Sequence, residues 1–167
     1  MNDAYTARVD GLGVSEDLPE YVKYFQETSI FETIEIPHDK PVIEKLCSVI
    51  VSPKVISSKL ITTPIALSYE GQNLSGYKLV IQLSLDEKIK YVAKLPNQSL
   101  HVTYCSDFLK SVFVVVPSEV NGKSVKDLIR SNKYAIIPYV EDVYAIQQDC
   151  RTIYKCVTLL VDVRFFD

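Results

Sequence analysis

From Tyr77 to Ala93 the chain alternates. Tyr77, Leu79, Ile81, Leu83, Leu85, Ile89, Tyr91 and Ala93 fall on odd positions, while Lys78, Gln82, Ser84, Asp86, Lys88 and Lys90 fall on even ones. A period of two sends successive side chains to opposite faces of a strand, so this stretch reads as a long β-strand with one face on a core and the other in water. Glu87 alone breaks the apolar face, which predicts a bend or bulge near Asp86 and Glu87. Lys88, Lys90 and Lys94 then read as a solvated edge, not as a binding patch.

The same reading extends along the chain. IFETIEIP places Ile30, Glu32, Ile34 and Ile36 on one strand face, and VIVSPKVISSKLITTP is long and β-branched, with Pro53 marking an edge or a bulge. EGQNLSG supplies turn residues between this segment and the alternating strand. QSLHVTYC is a further strand and LKSVFVVVP a more fully buried one. A closing pair, IIPYVEDVYAI and RTIYKCVTLLVDV, ends the chain, with Pro138 as a second edge marker. Two or three short helices are expected, from three candidate segments. One starts at Asp17, with Glu20 at the capping-box position and Tyr21, Val22, Tyr24 and Phe25 as its apolar side. One lies in DKPVIEKLCS behind Asp39, with Val42, Ile43 and Leu46 inward. The third is SVKDLIRSN, with Ser124 capping and Asn132 as a stop. The fold class is mainly β: an antiparallel β-sandwich or open barrel of about seven to nine strands with two or three short helices. Residues 1–29, loosened by Gly11 and Gly13, read as an arm that docks on its own domain or on a neighbouring copy, or else stays mobile; residues 30–167 form the β domain.

The 167 residues suit one domain that buries its own core, and a hydrophobic share of 47% with 23% charged is ordinary globular composition. A net charge of −3, with no run of Lys and Arg, disfavours a nucleic-acid partner. No window approaches the ~20 apolar residues of a membrane span, and the first residues lack a signal-peptide core. Cys47, Cys105, Cys150 and Cys156 form no C-x-x-C pair, which argues against structural zinc. Cys150 and Cys156 would stand about 20 Å apart on one extended strand, too far to bridge each other. The four thiols read as buried or half-buried groups, with cross-links between molecules as their alternative use.

Little in the sequence suits catalysis. His101 and Cys105 share a strand face but sit ~13 Å apart at strand spacing, beyond the reach of a Cys–His pair. His38 reads as a turn residue. Glu141 and Asp142 point to opposite faces unless a bulge intervenes, and serve better as partners for Arg151 or as a polar bulge. No glycine-rich phosphate loop exists. The expected chain is not an enzyme and uses no cofactor, metal or catalytic residue. Among the eleven tyrosines, Tyr77 and Tyr91 read as core, whereas Tyr134, Tyr144 and Tyr154 form a possible exposed row for a sugar.

The segments DKPVIEKLCSV, SSKLITTPIALSYEGQNLSGYKLVIQLSLDEKIKYVA, QSLHVTYCSDFLKSVFVVVP and PYVEDVYAIQQDCRTIYKCVTLLVDV, in that order, resemble the SPOCS domain family of spore-coat assembly proteins in clostridia and relatives. The most specific elements are Asp39-Lys40-Pro41, the Glu70-Gly71 turn, Tyr139-Val140-Glu141-Asp142 and Arg151-Thr152-Ile153. The resemblance covers roughly residues 30 to 165, leaves the arm outside, and includes nothing like the wall-binding LysM module of some relatives. It implies a protein made in the mother-cell cytoplasm and deposited on the spore surface layers, where other spore-envelope proteins or further copies of the chain are its partners. Tyr21, Tyr24 and Phe25 of the arm, with Pro53 and Pro138 at the edges, are the candidate assembly contacts, and Cys47, Cys105, Cys150 and Cys156 the candidate cross-links. The alternative is a carbohydrate-binding β-sandwich module on the same surface.

Overall fold

The computed structural model describes residues 8–10, 14–69 and 73–166. The elements run β1 (Arg8–Asp10), β2 (Tyr24–Glu35), β3 (Ile43–Leu67), β4 (Asn73–Ala93), β5 (Leu100–Val116), β6 (Glu119–Val120), β7 (Lys123–Ser124), α1 (Val125–Arg130), β8 (Tyr134–Gln147) and β9 (Thr152–Phe165). One antiparallel sheet has the order β1-β8-β9-β2 and a second the order β3-β4-β5; β6 and β7 form a small hairpin. Neither sheet closes into a barrel. Their apolar faces share one core, which runs from Ile30 and Ile34 on β2 and Ile36 just beyond it through Leu79 to Ala93 on β4 and Ile153 to Val163 on β9. The fold is the mainly β sandwich that the alternation implies.

The strand from Tyr77 to Ala93 is the middle strand of its sheet. Leu79, Ile81, Leu83, Leu85, Ile89, Tyr91 and Ala93 are all fully buried. The exposed lysines Lys88 and Lys90 therefore mark a solvated face of a central strand, not an edge, because β3 and β5 satisfy its backbone on both sides. The expected bulge is present, but its extra residue lies in the neighbour. Leu85 faces Phe108 and Glu87 faces Cys105, so Ser106 and Asp107 of β5 stand opposite Asp86 alone. The alternation of β4 is undisturbed, and Glu87 stays on the inner face, 1% exposed.

Two of the expected helices are absent. DKPVIEKLCS is a turn at His38–Asp39 followed by the start of β3. Ile43, Leu46 and Val49 all face the core, each 1% exposed. Register shifts at Ile43/Lys45 and Leu46/Ser48 each insert one residue into β3, so a bulged strand reproduces the spacing of three that mimics a helix. Between Asp17 and Lys23 there is no helix either: Ser15 ties the segment to β8, its N–H donating to Val140 O and its Oγ accepting from Val140 N, both at 2.9 Å. A single turn there has too few bonds to offset nucleation. Tyr24–Ser29 are the first residues of β2 and pair with Thr158–Val163 of β9, so this part of the arm belongs to the sheet.

The third helix forms as α1, with Ser124 at its N-cap position but without a side-chain cap bond, and with Asn132 at φ 54° beyond its end. QSLHVTYC and LKSVFVVVP are one strand, β5, and its second half is buried on one face only: Val112, Val114 and Val116 point inward while Leu109 and Phe113 are exposed. Asn121 and Gly122, both at positive φ, close the β6–β7 hairpin with the twist such short turns require. Gly11, Gly13 and the Glu70-Gly71 turn lie outside the described residues. Among those described, no helix is long and apolar enough to cross a membrane.

Candidate functional site

Each of three inner strand faces carries one charge. Glu32 of β2 and Lys155 of β9 are direct cross-strand neighbours, and Lys155 Nζ lies 2.8 Å from Glu32 Oε2. Across the core, Lys155 Nζ also contacts Glu87 Oε1 of β4. The side chains of Lys155 and Glu87 are fully buried, and that of Glu32 is 7% exposed. From the rim, Lys110 of β5 reaches in and places its Nζ 2.8 Å from Glu32 Oε1. The result is two cations and two carboxylates in one chain of contacts, Lys110–Glu32–Lys155–Glu87, joining both sheets.

Such a group persists in an apolar interior only if its members neutralise one another. Burial by itself raises the Glu32 carboxyl, but hydrogen bonds from Lys110 and then Lys155 outweigh it and hold the group below its ordinary value. Burial pushes Lys155 the other way, down from the ordinary lysine value, against the pull of Glu32. A lysine moved toward its neutral amine is a nucleophile, and a carboxyl sealed beside it is an acceptor.

A second polar stitch crosses between the sheets at Gln147 on β8, 2% exposed. Its Oε1 accepts from Leu46 N–H at 3.1 Å and its Nε2 donates to Ile43 O at 3.5 Å.

The predicted contact residues are spread over the segment before β2 and over β2, β3 and β8. Pro53 sits on β3, which is an edge strand as expected. Pro138 sits on β8 opposite Val161, and the outer side of β8 is taken further along by β1 of the same chain, Arg8 facing Ile146 and Asp10 facing Tyr144. Tyr21 is exposed, Phe25 is 43% exposed on the outer face of β2, and Tyr24 turns inward against Phe165, ring centres 5.8 Å apart. All four cysteines are free and half-buried. Burial raises the thiols of Cys105 and Cys156, and Asp142 adds to the effect on Cys156, so neither is primed for oxidation.

Tyr91 is core as expected, its hydroxyl donating to Pro41 O at 2.9 Å and its ring stacked on His101. The tyrosine row is split: Tyr134 packs against the core and bonds Ser58, whereas Tyr154 lies on the outer face stacked on Phe31. Glu141 occupies a bulge, shown by the register shift between Val140 and Asp142. Arg151 does not pair with either acid; its Nη1 donates to Pro37 O and Lys40 O, 3.2 Å each, and fixes the turn before β3. Among the described residues no cluster of His, Cys, Asp and Glu could hold a metal ion.

The outer face of β5 departs from a polar surface. Leu100, Val102, Tyr104, Leu109 and Phe113 are exposed along this one edge strand, with Lys88 over the Tyr104 ring and Lys78 over that of Phe113. No family model, curated protein or solved structure matches the chain.

Sequence reasoning missed the charge cluster, although its signal was present. Glu32, Glu87 and Lys155 are each the single charge on the inward face of their strand, and both signs are represented. Charges that a strand period sends inward must find each other.

Proposed function

We propose that this chain is a non-enzymatic structural protein of the bacterial spore envelope, working through contacts with other envelope proteins and with further copies of itself. The observation that carries the reading is β5: the edge strand of its sheet, whose outer face presents Leu100, Val102, Tyr104, Leu109 and Phe113 to solvent. Unpaired main-chain groups beside an exposed apolar row form a template for a partner strand, and monomers ordinarily blunt such edges. The resemblance to spore-coat assembly proteins points the same way. It also supplies the expected setting, synthesis in the mother-cell cytoplasm and deposition on the spore surface. The arm is a second contact: among the described residues β1 supplies three to the edge of β8, a short pairing that can exchange with the arm of a neighbouring copy.

The test is mass by light scattering over a wide concentration range, with negative-stain microscopy, on the full chain, on the chain lacking residues 1–13, and on Leu109→Lys with Phe113→Lys. The expected result is a concentration-dependent oligomer that the β5 double variant weakens. A full-length protein that stays monomeric throughout, with and without reductant, overturns the proposal.

A further inference from the structure

We infer that Lys155 and Glu87 condense into an intramolecular isopeptide bond, Lys155 Nζ to Glu87 Cδ, that ties the two sheets together through the core, with Glu32 moving the proton. Three requirements of that reaction are met by the geometry. The nucleophile and the acceptor are in direct contact across the sandwich, one on β9 and the other on β4, and both are fully buried. A third group, Glu32 Oε2, stands 2.8 Å from the same Nζ, within reach for proton transfer. Glu32 is itself held in place by Lys110 on its other oxygen, 2.8 Å away.

As an ion pair the two groups are inert, since an ammonium has no free lone pair and a carboxylate is a poor acceptor. The apolar surroundings favour the neutral pair, reached when one proton passes from Lys155 Nζ to the Glu87 carboxyl. The Nζ lone pair then attacks Cδ to form the C–N bond. The Glu32 carboxylate takes a second proton from nitrogen and delivers it to the departing hydroxyl. The C–O bond breaks, one water leaves, and Glu32 returns to its starting state. Ammonium and carboxylate together thus become one amide and one water, with no oxidant, reductant or further reactant.

Fixed alignment replaces the activation that such a condensation needs in solution, since well-oriented intramolecular groups react with effective molarities of about 10⁵–10⁸ M. The closed core also keeps out the water needed for hydrolysis. The product suits the site better than the reactants do. One buried cation and one buried anion vanish, Glu32 keeps Lys110 as its counter-charge, and Glu32 Oε2 can accept from the new amide N–H. The inference stands apart from the assembly reading, because it depends only on these four side chains.

Intact mass and peptide mapping of the purified full-length protein decide it. The expected wild-type result is a mass lower than that of the sequence by one water, and a branched peptide joining the segments that contain Lys155 and Glu87. Glu87→Gln is expected to give the same branched peptide with loss of ammonia in place of water, and Lys155→Met none. Glu32→Gln is expected to fold but to remain largely unlinked. Wild-type protein whose Lys155 and Glu87 peptides are recovered separately, at unmodified mass, overturns the bond whatever the variants do. Full linkage in Glu32→Gln overturns the role of Glu32.

Discussion

Lys155→Met removes the cation that stands between Glu32 and Glu87 and leaves the fully buried Glu87 carboxylate facing apolar side chains. Breaking a buried ion pair from one side costs about 3–5 kcal/mol, because the remaining charge stays uncompensated or must take up a proton. Restoring neutrality with Glu87→Leu in the same chain then separates two accounts of the cluster. If Lys155 and Glu87 are only an ion pair, the double variant should match the wild type or exceed it by about 1–4 kcal/mol, as apolar replacements of buried pairs often do. If they are joined, the double variant also loses a cross-link closing a loop of roughly 70 residues, worth about 4 kcal/mol through the unfolded state, and it stays well below the wild type. We expect the second pattern. Urea unfolding at neutral pH measures it, and the linked wild type should also show a smaller dependence on urea, since its unfolded chain exposes less surface. A single variant within about 1 kcal/mol of the wild type would refute the buried-charge reasoning itself. A double variant as stable as the wild type would refute the bond.

Gln147→Met keeps the volume but strands the Leu46 N–H in the core, so urea unfolding should show a loss of about 1–3 kcal/mol; no change would mean that the stitch between the sheets is dispensable. The Glu32 carboxyl is held below its ordinary value of 4.5, so its contribution is present above that pH and is lost as the pH falls through the folded value. Unfolding midpoints from neutral pH down to acid should therefore fall less steeply in Glu32→Gln than in the wild type, and parallel curves would count against the Lys110–Glu32–Lys155 contacts. Cys105 and Cys156, raised by burial above the ordinary 9.0, should react slowly with a thiol reagent at neutral pH and faster as the solution becomes alkaline. Rapid labelling of both at neutral pH would refute the effect of burial on these thiols.

What the sequence determined by itself is local and periodic. The alternation of Tyr77–Ala93, of Ile30–Ile36 and of Ile153–Val163 identifies strands and their inner faces, because a period of two leaves no freedom about which residues share a side. Only the tertiary structure decided the rest. Ile43, Leu46 and Val49 imitate a helix in sequence, and it is pairing with β4 that accommodates the extra residues as bulges. The irregularity signalled by Glu87 lies in β5, the strand that follows and pairs with β4, because a bulge belongs to a pair of strands and not to one. The meeting of Glu32, Glu87 and Lys155 likewise depends on strand order and on the stacking of two sheets, which no local pattern encodes. Each strand face announces one buried charge; the sandwich decides which charges meet.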